Sequence, residues 1–232
     1  RRPAEFWMKP LARHCEPALE SVVDEAIPEI ASSSTRKDGG LLAMTVLWVA
    51  LNLVGCARLF GWEIHAPGIL SRDFAQTVQP VPERIALYLS PELLNYQSKD
   101  RGSRTADPQT FHVGEALGPM LVEAFQEGFE EFIFLETEPT RAILARYGIP
   151  RVAVVRVKEF KNRVTWRGQE VALVTETAVF DSELRPLGRF EFTGRSAAPK
   201  VFAKKGGPEV NLNAAIESNV LAIIQNLQGW KA

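Results

Sequence analysis

"EVALVTETAVFDSELRPLGRFEFTGR", residues 170–195, is the stretch that decides the fold. Val171, Leu173, Thr175, Thr177 and Val179 fall on one side of an extended chain, and Ala172, Val174, Glu176, Ala178 and Phe180 on the other. Alternation sustained this long predicts a strand over 170–180. The strand runs into "DSELRPLG", where Asp181, Pro186 and Gly188 carry hairpin-loop chemistry. "RFEFTGR" (189–195) then returns as a second strand. Upstream, the β-branched "RVAVVRVKEF" (151–160) predicts another strand, and residues 162–169 turn the chain between it and the first. Successive strands joined by short turns pair antiparallel.

Working outward, "RIALYLSPEL" (84–93) reads as a strand and the polar 95–110 segment as a loop. Val113, Ala116, Leu117, Met120, Leu121, Ala124 and Phe125 then repeat with helical spacing, and Gly128 is a natural stop. Pro119 lies off this stripe, which predicts either a kink or a helix that begins there. "FIFLE" (132–136) reads as a short strand, with Phe125, Phe129, Phe132 and Phe134 as core. A helix is expected over 139–147, starting near Thr137 or Glu138 and ending at Gly148. After a loop over 196–210, a last helix from about Asn211 to Gln228 buries Leu212, Ala215, Ile216, Val220, Ile223, Ile224 and Leu227. There is no internal repeat. The order β-α-β-α-β-β-β-α predicts an α+β fold: a mixed, largely antiparallel sheet of about five strands with two to three helices packed on one face.

The chain has 232 residues, 24% of them charged, and a formal net charge of −1. That balance gives no electrostatic basis for a nucleic-acid partner. Two cysteines are too few for a disulfide scaffold.

The most apolar stretch is "LLAMTVLWVALNLVGC", residues 41–56. It has no polar face, so it does not read as an ordinary amphipathic helix. Residues 39–57 carry no charge but barely reach the roughly 20 residues of a membrane span. Leu41–Val54 matches a secretory apolar region in length, and Arg36 and Lys37 supply the positive charge before it. The run closes on Leu53-Val54-Gly55-Cys56, which resembles the lipobox of bacterial lipoproteins. That resemblance implies a signal peptide over 36–56, cleavage between Gly55 and Cys56, and diacylglyceryl and palmitate-type acyl groups on Cys56. Ala57 after the cysteine implies sorting to the outer membrane, with the domain facing the periplasm. Residues 1–35 are then expected to be an extension ahead of the true start. The rival reading keeps them as a short cytosolic segment before an uncleaved single span, an orientation the positive-inside rule also permits.

Residues 57–83 contain Pro67, Pro80 and Pro82 and no sustained periodicity, so they read as a tether before a domain over 84–229. Fully extended, such a tether reaches about 80 Å. Phe60, Trp62, Ile64, Ile69, Leu70 and Phe74 are more apolar than a spacer needs, which points to partial packing or a place at the membrane interface.

Three further segments carry a family resemblance: "FHVGEALGPMLVEAFQEGF" (111–129), "VTETAVFDSELRPLGRFEF" (174–192) and "NAAIESNVLAIIQNL" (213–227). Behind a lipobox, this arrangement resembles small outer-membrane lipoproteins whose α/β domain is like the N-terminal domain of the periplasmic Tol-system protein, with curli-secretion and Pel-polysaccharide-secretion lipoproteins as relatives. Pro119 departs from the group's uninterrupted helix. The resemblance implies a scaffold, secretion or assembly accessory whose partners are other envelope proteins or further copies of itself.

Catalytic motifs are not visible. There is no H-E-x-x-H, G-x-S-x-G or P-loop sequence. His65 and His112 have no second histidine or cysteine at local metal-ligand spacing, so no metal and no cofactor are expected. Lys204-Lys205-Gly206-Gly207 reads as a basic loop. Glu127, Glu130, Glu131, Glu136 and Glu138 read as a solvated cluster. A non-enzymatic role is therefore expected; the alternative, a small envelope hydrolase, needs His112 or the 127–138 carboxylates to line one pocket.

Overall fold

The computed structural model describes residues 61–100, 108–165, 168–198 and 207–230, all within the unit Asn52–Ala232. The expected N-terminal extension (1–35), signal peptide (36–56) and lipidation site (Gly55, Cys56) lie outside the described residues, as do Lys204 to Gly206 of the basic loop.

The alternating sequences form the sheet they predict. β1 is Trp62–Ile64, α1 Arg72–Thr77, β2 Val81–Leu89, α2 Pro91–Leu94, β3 Ser98–Asp100, β4 Gln109–Phe111 and α3 Val113–Gly128. β5 follows at Phe129–Leu135, then α4 Arg141–Arg146, β6 Arg151–Thr165, β7 Gly168–Asp181, β8 Pro186–Ala198 and α5 Pro208–Gly229. A five-stranded sheet has the order β5-β2-β6-β7-β8, and a small second sheet the order β1-β4-β3. β2 runs parallel to both β5 and β6, whereas β6–β7 and β7–β8 are antiparallel hairpin partners. The fold is thus α+β with a mixed sheet, as expected.

Every residue of the two predicted helical stripes is buried. α3 and α5 pack together on one face of the sheet, against Ile85, Leu87, Ala153, Val155, Leu173 and Val179. The short α4 takes the opposite face, where Leu144 meets Ala86, Val152, Leu135 and Ile149. Chain path explains this departure from helices on a single face. The β2–α3–β5 connection moves outward along the sheet, and β5–α4–β6 moves back across β2. Right-handed crossovers in opposite directions place their helices on opposite faces.

The expected strand over 84–93 ends earlier, at Leu89. Ser90 caps α2, its hydroxyl accepting from the Leu93 amide, and Pro91 takes the first turn. The expected loop over 95–110 supplies β3 and β4, short strands whose polar composition hid them. Helix α3 runs through Pro119 without restarting. Pro119 is on the exposed face, so the carbonyl left without an N–H partner faces water. Phe125 and Phe129 are buried and Phe132 packs on the core, but Phe134 is 39% exposed.

The tether reading of residues 57–83 also changes where the structure describes it. Residues 61–83 hold β1, α1 and the start of β2, with Ile64, Leu70, Phe74 and Val78 buried. Asn213 on α5 fastens this segment: its side-chain carbonyl accepts from the Gly68 amide at 3.0 Å, and its NH₂ donates to the Ile69 carbonyl at 2.8 Å. The prolines do not make a free spacer because Pro67 and Pro80 lie between elements and Pro82 is taken into the start of β2, and long-range side-chain hydrogen bonds replace local periodicity.

Candidate functional site

The site begins with β1, which pairs parallel with β4: Trp62 with Gln109, Glu63 with Thr110, Ile64 with Phe111. The His112 amide then donates to the Ile64 carbonyl at 3.0 Å, continuing the pairing by one step. Neighbouring parallel strands lie about 4.8 Å apart with matched side chains abreast. His65 and His112, 47 positions apart in sequence (112 − 65), are thereby brought side by side. Their rings stack with centroids 4.0 Å apart and planes 19° from parallel. Glu63, two residues before His65, projects to the same side of β1.

His112 is also the N-cap residue of α3, and Glu115 stands in that helix's first turn, where a carboxylate is favoured by the helix dipole. Glu115 bridges the two rings. Its Oε2 is 2.8 Å from His65 Nδ1, and its Oε1 is 3.0 Å from His112 Nδ1. The other ring nitrogen of His112, Nε2, lies 2.6 Å from Glu63 Oε2. The Gln97 amide sits 3.2 Å from His112 Nδ1. His112 is the fixed post, its side chain 13% exposed, while Glu63, His65 and Glu115 are each about half exposed.

The hydrogen bond with His65, seconded by the charges of His112 and His65, outweighs partial desolvation and holds the Glu115 carboxyl below its usual pKa. Glu63, His65 and His112 each offer a donor atom within 4.8 Å of the other two. Two imidazoles and a carboxylate at that spacing can share a proton or ligate a divalent cation.

Sequence spacing missed this cluster because its proximity arises from parallel register, not from local repeat. The readable trace was Glu63-x-His65, one strand face, together with His112-x-x-Glu115, one helical turn. Among the other residues considered for chemistry, Glu127, Glu130, Glu131, Glu136 and Glu138 are all exposed, and Glu131 pairs with Arg84. They do not converge with His112.

No protein-family model and no curated protein matches the sequence. Among solved structures, the hypothetical protein CT253 from Chlamydia trachomatis is similar at TM-score 0.41 and 9% identity, over 65% of this chain and 98% of that one. A PelC dodecamer from Paraburkholderia phytofirmans is similar at TM-score 0.39 and 11% identity, over 72% of this chain and 95% of that one. The lipoprotein GNA1162 from Neisseria meningitidis is similar at TM-score 0.34 and 7% identity, over 64% of this chain and all of that one. These are likenesses in the outline of the chain path, and at such TM-scores they carry no argument about function or assembly.

Proposed function

We propose that the protein is a lipid-anchored component of the bacterial cell envelope, held by acyl groups on Cys56 and working through a periplasm-facing domain that binds rather than catalyses. The observation that carries this reading is the junction at Cys56. A charge-free apolar run of signal length closes on Leu-Val-Gly-Cys, ahead of a folded domain that already includes the strand Trp62–Ile64. Thiol chemistry at that cysteine supplies the anchor; two or more acyl chains hold a protein firmly where one does not. Among the described residues no helix is long and apolar enough to cross a membrane. The domain acts as an accessory in assembly or secretion, docking other envelope proteins or further copies of itself, as the Tol-like, curli- and Pel-secretion lipoprotein group it resembles in sequence would. Ala57 after the cysteine supports placement in the outer membrane.

The test is the intact mass of membrane-extracted protein expressed from its own gene, beside Cys56→Ala. A mass of residues 56–232 plus acyl groups, and a variant released from membranes or left unprocessed, is the expected result. A mass that retains residues ahead of Cys56 would replace this reading with an uncleaved single span. A variant that matures and stays membrane-bound like the wild type would end it.

A further inference from the structure

We propose that Glu63, His65 and His112 form a binding site for a divalent transition-metal ion of the zinc class, with Glu115 as the positioning residue behind both imidazoles. The inference concerns the folded domain and does not depend on the anchor at Cys56.

The arrangement of ring nitrogens carries it. Glu115 reaches the Nδ1 atom of both rings, at 2.8 Å for His65 and 3.0 Å for His112. A carboxylate accepting from Nδ1–H turns Nε2 toward a ligand, which is how metal-binding histidines are oriented. On His112 that Nε2 points at Glu63 Oε2, 2.6 Å away. The three donor groups lie within 4.8 Å of one another. Ligands of a tetrahedral zinc ion with bonds near 2.0–2.1 Å stand about 3.3 Å apart. Reaching that spacing takes at most about 1.5 Å of side-chain movement, and the 2.6 Å His112–Glu63 contact opens to admit the ion. The half-exposed Glu63 and His65 have that freedom, while the mostly buried His112 stays in place. Because the rings are stacked nearly parallel, His65 has to turn about its side-chain torsions for both rings to reach one ion.

Charge points the same way. Two carboxylates flank His112, one at each ring nitrogen. A dication between Nε2 and Glu63 takes the place of a proton there and offsets the two carboxylates, which outweighs the positive end of the α3 dipole. Two nitrogens and one oxygen suit zinc and its transition-metal neighbours; magnesium and calcium prefer all-oxygen sites. The exposed side of the cluster leaves the remaining coordination position to water or to a partner's side chain.

Isothermal titration of the full chain in detergent with zinc chloride, and separately with magnesium chloride, tests the site. Glu63→Gln, His65→Ala and Glu115→Gln are titrated alongside, with circular dichroism to establish that each is folded. One equivalent of zinc that competes away with a chelator, is absent with magnesium, and is lost in Glu63→Gln and His65→Ala is the expected outcome. Glu115→Gln keeps that equivalent but binds it about 10–100-fold more weakly. At 100-fold excess over Kd, zinc raises the wild-type thermal midpoint by about 5–10 °C. Glu63→Gln is nearly isosteric and exposed, so it reports on the ligand even if His65→Ala perturbs the fold. A folded wild type that takes up no zinc overturns the proposal and leaves the cluster as a shared-proton pair. Zinc uptake unchanged in both ligand variants overturns it equally, because the ion is then held elsewhere in the chain.

Discussion

Asn219 occupies the inward stripe of α5 where a Leu or Ile would be expected, and it is fully buried. Its NH₂ donates to the Phe192 carbonyl at 3.0 Å and the Leu173 carbonyl at 3.2 Å, and its oxygen accepts from the Thr175 hydroxyl at 2.8 Å. One side chain thus ties α5 to both β7 and β8. Truncation leaves a buried hydroxyl and buried carbonyls unpaired, at a cost of about 1–3 kcal/mol for each group left without a partner. Asn219→Ala should therefore lower the urea midpoint by more than Thr175→Val, which leaves only one acceptor unmatched. Equal effects would mean the carbonyl contacts contribute nothing. Asp181 anchors the β7–β8 loop differently. Partial burial raises its pKa, but the amides of Arg185 and Glu183 and the Arg185 guanidinium bind the carboxylate and prevail, holding the pKa below the usual range. The folded state then binds fewer protons there than the unfolded chain. That stabilisation is complete above the unfolded value, about 4, and is lost as pH falls through the folded one. The stability gap between wild type and Asp181→Asn should be constant near neutrality and shrink below about pH 4 in urea titrations. A gap that stays constant down to strong acid would refute the assignment. Asp181 was legible as a turn residue. The partners of Asn219 were not, because a polar residue on an apolar stripe announces a contact without naming it.

At the scale of the element, α3 shows which local signals survive packing. Pro119 forfeits a hydrogen bond in the helix interior, yet the helix continues because the inward stripe from Val113 to Phe125 is buried throughout. With Pro119 on the exposed face, Pro119→Ala should restore the bond without a clash. Chemical denaturation should show a gain of about 1–3 kcal/mol; an unchanged or lower midpoint would show that the proline sets a bend the packing requires. Gly114 has the opposite character. A Cβ there would run into the carbonyls of Leu93 and Leu94 on α2, and its amide donates to the Tyr96 carbonyl at 3.0 Å. Gly114→Ala should cost about 1–3 kcal/mol through overpacking and should displace α2, visible as altered amide exchange at Asn95 and Tyr96. The long elements were legible because each carries one period over several turns or pleats. β1, β3 and β4, three residues each, are too short to display a period. The candidate site is built on two of them, so it stayed hidden while the sheet and its two covering helices could be read.

For the whole molecule, the packing of residues 61–83 changes the geometry of anchoring. An 80 Å tether would let the domain range far from a bilayer. With Gly61 and Trp62 already in the fold, the path from Cys56 to the domain is five residues and spans at most about 18 Å. On the proposed acylation of Cys56, the β1 end of the domain would be held against the lipid surface, and Trp62, 60% exposed at that end, would reach the depth where tryptophan partitions favourably. The candidate metal site at Glu63 and His65 would then stand beside the membrane, not at a distal tip. Fluorescence of the acylated protein in vesicles containing brominated lipid measures this directly. Quenching should be strong in the wild type, fall by more than half in Trp62→Phe, and vanish when residues 57–232 alone, without the apolar run or acyl groups, are mixed with the same vesicles. Trp230, which packs edge-on against Phe190, should contribute little in any of them. Quenching indifferent to Trp62→Phe would place a different face on the lipid and free the β1 end for protein partners.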